Sequence, residues 1–279
     1  MKKIISSLLI ISILLTSTAV LADYRDYVKV PVIMYHAVGY SNDPYTITPE
    51  SFESHLVAIL ENGFTPISFQ ELTEYVDYDR NLPDKPMVIT FDDGYTDNYS
   101  EAFPLLKKHN CKATIFAIGS SVGKSTYKET ENPINPHFDY NMAREMNLSK
   151  LISIQSHTHD MHQAKHYEQS ENVRENVMPF EGEDFTDYIR AVREDLITSK
   201  TFLEGQIGAP VTALAYPNGR YNAYTEAIAR SLGFRVTVST TIGTNYIRKY
   251  DQNSLYRLNR FNMNESVSAD TLIQWLNRR

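Results

Sequence analysis

Eight short β-rich runs separated by stretches of helical periodicity set the strongest limit on how this chain can fold. They cover residues 30–35, 64–67, 87–91, 113–117, 151–155, 212–215, 235–238 and 255–261. Regular alternation of this kind predicts βα units around a parallel sheet, and not a sandwich of antiparallel strands. The expected fold is therefore α/β, a distorted (β/α) barrel of seven or eight units in a single domain. The first helix is the best specified: Thr48 can cap it, Pro49 suits its first turn, and Phe52, Leu56, Ile59 and Leu60 form one apolar stripe before Asn62-Gly63 stops it. Similar stripes occur in 99–109, 189–203, 225–232 and 269–276. Two polar segments, 121–149 and 163–186, break the rhythm. Each would follow the C-terminal end of a strand, where barrel sites lie, so at least one is expected to face substrate.

Ahead of the first run, Lys2 and Lys3 precede an apolar stretch from Ile4 to Leu15, and small residues lead to Val20-Leu21-Ala22. That order is the pattern of a secretory signal. Residues 1–22 are expected to direct export and 23–279 to form the folded domain, secreted or held at the cell surface, with an uncleaved anchor as the alternative. No later segment approaches the roughly 20 consecutive apolar residues of a membrane span. Cys111 is the single cysteine, so no intramolecular disulfide can form and stability must come from core burial. The net charge of −7 becomes more negative without Lys2 and Lys3. It argues against nucleic acid and against anionic polymers bound by charge, and it tolerates a neutral or amine-bearing glycan. A monomer is expected.

The residues richest in chemistry are Val88-Ile89-Thr90-Phe91-Asp92-Asp93-Gly94-Tyr95, an apolar strand ending in two carboxylates and a glycine. Adjacent strand residues point opposite ways, so one carboxylate can bind a cation while the other takes a proton from water. A plain Asp-Gly turn is the alternative. After another predicted strand comes Ser156-His157-Thr158-His159-Asp160-Met161-His162, with three histidines close together. His157 and His162 converge only if the chain turns sharply after His157. His162 and His166 would share a face if a helix ran there. One aspartate and two imidazoles make an N₂O set that leaves positions for water and substrate, as a hydrolytic metal site requires. Zinc suits that set, and other divalent ions such as cobalt or nickel also accept it.

Thr90-Phe91-Asp92-Asp93-Gly94 followed by a downstream Ser-His-Thr segment resembles the polysaccharide deacetylases, carbohydrate esterase family four, over roughly residues 30–276. The resemblance implies a catalytic domain over 23–279 that removes N-acetyl groups from an N-acetylglucosamine-containing cell-surface polysaccharide. It implies Asp92 as general base, and Asp93, His157 and His162 as holders of a divalent metal. The five-residue histidine spacing is similar to the branch acting on poly-β-1,6-N-acetylglucosamine, where many other members use four. In the family, the turn at Tyr216-Pro217-Asn218-Gly219 offers a backbone N–H to the developing oxyanion, here that of Asn218. Ala215 and Tyr216 replace an arginine that orients the base in many relatives. The C-terminal histidine of many relatives is absent as well. His36, ending the apolar run Val32-Ile33-Met34-Tyr35, resembles that branch's permuted general acid, a task suited to imidazole. Arg260 resembles an arginine on the branch's last strand, where a salt bridge with a site carboxylate would orient that group; a surface arginine is the alternative.

The remaining histidines, His137, His159 and His166 among them, receive no site role, and Cys111 reads as packing. His55 and His109 read as helix-face residues. Tyr140, Tyr167, Tyr216 and Tyr221 are candidates for stacking on sugar rings. Two other functions stay open: a catalytically silent glycan-binding protein on the same barrel, and a metal-dependent hydrolase of a non-sugar amide or ester.

Overall fold

The computed structural model describes residues 27–278 apart from 79, 169 and 171, so the expected leader, 1–22, lies outside the described residues. The chain enters through β1 (Tyr27–Val30), and Pro31, which has no N–H to offer a ladder, separates it from β2 (Val32–Tyr35). The short strands β3 (Ala37–Val38) and β4 (Thr46–Ile47) pair with each other. In α1 (Pro49–Glu61) Thr48 caps through its hydroxyl, which accepts from the Ser51 N–H at 3.2 Å, and Phe52, Leu56 and Ile59 are fully buried. Leu60, expected on that stripe, is exposed. His55 takes the inward place instead, between the Tyr35 hydroxyl and the Val267 carbonyl at 2.8 Å each.

After β5 (Thr65–Pro66) comes α2 (Phe69–Asp77), closed by a Ser68/Glu71 capping box. β6 (Pro86–Phe91) runs to the carboxylate pair, and a π-helical turn, Asn98–Ala102, leads into α3 (Phe103–Lys108). Next are β7 (Ala113–Ala117), α4 (Tyr140–Leu148), β8 (Ile152–Ser156) and the long α5 (Phe185–Ile207). The chain continues with β9 (Ala213–Ala215), α6 (Ala223–Ser231), β10 (Val236–Val238) and β11 (Asn245–Arg248). It ends with β12 (Phe261–Asn262) and α7 (Ala269–Asn277).

The main sheet has the order β10-β9-β8-β7-β6-β2-β12, parallel throughout, with β5 also paired to β6. Its two edges meet in one stretch of chain: Leu258 bridges Val238 of β10, and Phe261 pairs with Ile33 of β2. The sheet is thereby rolled into a distorted barrel of seven strands with helices outside, the expected architecture. Alternation along each strand sorts the side chains. Ile89 and Phe91 pack outward with Phe52, Leu106 and Leu196 of the helices, whereas Val88 packs inward with Val32, Phe116 and Val236. By the same alternation Thr90 and Asp92 follow Val88 into the barrel.

Three expectations need correcting. The run at 255–261 is a strand only at Phe261–Asn262, because Gln252–Leu255 forms a 3₁₀ turn and Arg257 adopts a left-handed φ of 60° that no strand tolerates. β11 is a strand that its polar, tyrosine-bearing sequence conceals; it pairs antiparallel with β1 as a separate ribbon. The polar segment 121–149 contains α4, whose buried residues are only Ala143 and Met146, too few to signal a stripe.

Candidate active site

The cleft at the C-terminal ends of the barrel strands has a volume of about 530 Å³, and its walls include His36, Asp92, Asp93, His157, His162 and Asn218. These come from the ends of β2, β6, β8 and β9, so six of the seven residues expected in the site share one opening. The seventh, Arg260, lies beneath it with no exposed surface, which excludes the surface alternative. A larger hollow of about 890 Å³ beside the β1–β11 ribbon carries none of these residues.

Asp92 faces the barrel interior and meets Arg260 through two parallel hydrogen bonds, Nη1 to Oδ1 at 2.6 Å and Nη2 to Oδ2 at 2.7 Å. Arg260 is itself held, since its Nε donates to the Ser239 carbonyl at 2.8 Å. Burial pushes the Asp92 carboxyl upward, but the Arg260 charge and then His157 outweigh burial and hold it well below the usual carboxylate range. Asp92 is thus ionised at neutral pH, with its orientation fixed by a planar fork that lysine does not reproduce.

Asp93 leaves the strand. Its φ of 71° turns its side chain away from that of Asp92, and Gly94 continues the turn at φ 85°. A Cβ at Gly94 would lie 3.2 Å from Ala117 Cα and from the Phe138 ring. Gly94→Ala should therefore lose about 1–2 kcal/mol from the left-handed backbone alone, and more from crowding. Gly208→Ala, at φ 73° with nothing within 4 Å, should lose only the backbone share. Urea unfolding reads both, and equal losses would rule out the crowding.

The Asp93 Oδ1 atom is buried and has no hydrogen-bond partner among the described residues. Facing it are His157 Nε2 at 3.5 Å and His162 Nε2 at 3.6 Å, with the two rings perpendicular and 5.2 Å apart. His157 Nδ1 lies 2.9 Å from the Ala215 carbonyl, so Nδ1 carries a proton. Burial lowers the pKa of His157 against the pull of Asp92, which favours the neutral ring with an Nε2 lone pair turned toward Asp93. A buried oxygen and two ring nitrogens, all within 4.8 Å of one another, fit a cation between them. Ligand atoms sharing a tetrahedral zinc at 2.0–2.1 Å lie roughly 3.3 Å apart, so the two gaps from Asp93 to the imidazoles need close only by tenths of an ångström. Among the described residues this is the one His/Cys/Asp/Glu group with such convergence.

A sharp turn brings the two histidines together. Thr158, a β-branched residue, adopts a φ of 70°, and its N–H donates to Ser156 Oγ at 3.1 Å while its carbonyl accepts from Gly119 N–H at 3.0 Å. No helix runs over residues 162–166, and the His166 ring lies tilted against Tyr167 with centroids 3.9 Å apart, so the His162/His166 alternative falls. His36 stands at the cleft against the Tyr45 ring at 5.0 Å, with its carbonyl held by Asn98 Nδ2 at 2.8 Å. Asn218 has a φ of 55° at the tip of its turn, and its side chain donates to the Glu175 carbonyl at 3.0 Å. The second polar segment thus buttresses this turn, and the first supplies Asn135 to the cleft wall.

Some residues stand elsewhere than sequence suggests. Tyr216 has no exposed surface and its hydroxyl donates to Glu226 at 3.1 Å, so it is not available to a sugar ring; the aromatic residues at the cleft are Tyr45 and Tyr95. His137, given no site role, is buried against the Tyr95 ring at 5.0 Å, and burial lowers its pKa against the charge of Asp93. His159 stacks on Phe202, and Cys111 is buried packing, with burial raising its thiol to about 11. The signal for Tyr95 was adjacency to Asp-Asp-Gly. Asn98 and His137 had none.

The polysaccharide deacetylase family model matches residues 79–237, more than half of the chain. The Bacillus subtilis protein YxkH, which carries the same family name, is 30% identical over 241 residues, covering 86% of this chain and 74% of its own length. The poly-beta-1,6-N-acetyl-D-glucosamine N-deacetylase of Escherichia coli is 26% identical over 190 residues, 62% of this chain; the match spans 28% of that enzyme. In fold, the chain is similar to a de-N-acetylase from Aggregatibacter actinomycetemcomitans with a TM-score of 0.74 at 24% identity, covering 89% of this chain and 100% of the other. No helix among the described residues is long and apolar enough to cross a membrane.

Proposed function

Because this chain belongs to the polysaccharide deacetylase family, we propose that it hydrolyses N-acetyl groups of an N-acetylglucosamine-containing polysaccharide outside the cytoplasm, with a divalent metal ion as cofactor. One observation carries the reading: an unpartnered buried carboxylate oxygen faces two imidazole nitrogens, and a second carboxylate, clamped by arginine, stands directly beside them. Similarity to an enzyme named for poly-beta-1,6-N-acetyl-D-glucosamine supports the hexosamine substrate.

Asp93 Oδ1, His157 Nε2 and His162 Nε2 would hold the ion, and a zinc-like cation there would supply Lewis acidity and lower the pKa of water toward neutrality. Asp92 is the general base. It is ionised, acceptor-only, and oriented by Arg260, so it takes the proton of water attacking the acetamide carbonyl. The backbone N–H of Asn218 donates to the oxyanion that develops at that carbonyl. His36 gives a proton to the departing amine, leaving a free amino sugar and acetate. The arginine missing before Pro217 weakens no part of this scheme, since Arg260 reaches Asp92 from the opposite edge of the sheet. That placement favours the enzyme over a silent binding protein.

Acetate release from poly-β-1,6-N-acetylglucosamine, chitin oligomers and peptidoglycan, before and after chelation and with zinc restored, tests the reading. Release from at least one glycan, at least tenfold lower after chelation and recovered on restoration, is expected. Absence of acetate from all three glycans with zinc supplied would refute the hexosamine assignment.

A further inference from the structure

Between the two imidazoles of the proposed metal triad the chain must reverse direction within four residues, and the reversal is anchored on α5. The N–H groups of His159 and Asp160 both donate to the carboxylate of Asp195, at 2.8 Å to Oδ1 and 2.6 Å to Oδ2. Asp195 lies on the inward face of α5, with Val192 three residues before it and Ser199 four after, both fully buried. A carboxylate on such a stripe is costly unless paired, and its partners here are two backbone donors. The same loop holds Thr158 at a left-handed φ of 70°, a conformation that β-branched residues reach only when their surroundings enforce it. On one side Ser156 and Gly119 hold Thr158; on the other, Asp195 holds the two residues that follow. The Asp160 side chain adds an ion pair to Lys128 at 3.0 Å, outside the turn.

We infer that Asp195 is the positioning residue of the metal centre: its carboxylate fixes the turn that brings His162 to the ion, and with it the five-residue spacing of the histidine pair. The inference rests on the metal triad proposed above. Asp195 touches neither ion nor substrate and acts through backbone groups two and three residues ahead of His162. Outer partners that orient metal ligands commonly change affinity by about 10- to 100-fold when removed. Asp195→Ala deprives two backbone donors of their acceptor, whereas Asp195→Asn keeps one carbonyl oxygen and loses the other.

The test is zinc affinity of chelator-stripped full-length protein, read by competition with a chromophoric chelator, beside thermal unfolding of the same metal-free samples. Asp195→Ala should bind zinc at least tenfold more weakly than the parent, with Asp195→Asn in between. Glu226→Gln serves as control, because Glu226 is a buried carboxylate whose side-chain partners, Tyr216, Thr237 and Arg230, include no residue of the triad or of its turn. It should lower the unfolding temperature and leave zinc affinity at the parental value. Should Asp195→Ala not fold, the decision passes to Asp195→Asn. Parental zinc affinity in the folded Asp195 variants, or equal loss in Glu226→Gln, overturns the inference and leaves the triad standing. A parent that binds neither zinc nor nickel overturns the triad, and the inference with it.

Discussion

Asp92→Asn is expected to lower the rate of acetate release by about 10²- to 10⁴-fold, the share that a positioned general base contributes, while the protein still binds one equivalent of metal. The two neighbouring carboxylates make opposite predictions because they face different partners. Asp92 engages Arg260 inside the barrel, and Asp93 presents its unpartnered oxygen to His157 and His162. With the roles proposed above, an asparagine at 92 removes the proton acceptor and spares the triad. At 93 the same change replaces a charged ligand and should weaken metal binding first. Turnover per bound metal, with metal content measured on the same sample, separates the two. Parental turnover in Asp92→Asn would end its assignment as base.

Arg260→Met is expected to cost roughly 3–5 kcal/mol of folding stability, the usual consequence of removing one partner from a buried ion pair. Asp92 would be left without its counter-charge at 2% exposure, and the Ser239 carbonyl without its donor. Arg260→Lys keeps the charge and loses the fork, so it should fall between Met and parent in stability and in acetate release. A comparison within the molecule calibrates the figure. Arg235 also contacts both oxygens of a carboxylate, Asp77, but its side chain is 33% exposed. Removing such a half-solvated partner should cost about 1 kcal/mol or less. Urea unfolding of Arg260→Met and Arg235→Met decides, and similar losses for the two would contradict the weight given to burial.

The barrel was largely legible because its signals are local. Apolar runs such as residues 87–91 and 113–117 are strands in place, and Thr48-Pro49 opens a helix as its chemistry dictates. The carboxylate pair was legible for the same reason, since a strand ending in Asp-Asp-Gly sends its last residues apart. Other features depend on partners far along the chain. Nothing near Thr158 announces a left-handed threonine, for the groups that enforce it include Gly119, and Asp195 secures the residues just after it. The fork between Arg260 and Asp92 joins residues 168 positions apart. β11 pairs with β1 across most of the chain, so its polar sequence gave no clue. Tyr216 misled because aromatic residues beside a predicted turn look exposed, and here Glu226 satisfies the hydroxyl in the interior.

The stretch that seals the barrel also sets when the enzyme becomes competent. The aspartates, both histidines and the Asn218 turn all precede residue 220, yet the guanidinium that orders Asp92 arrives only with the segment linking β10 to β2. In chain order every proposed ion-binding group precedes the residue that clamps Asp92, so the proposed base would lack its clamp until those closing residues had docked. Activity would then report a closed barrel.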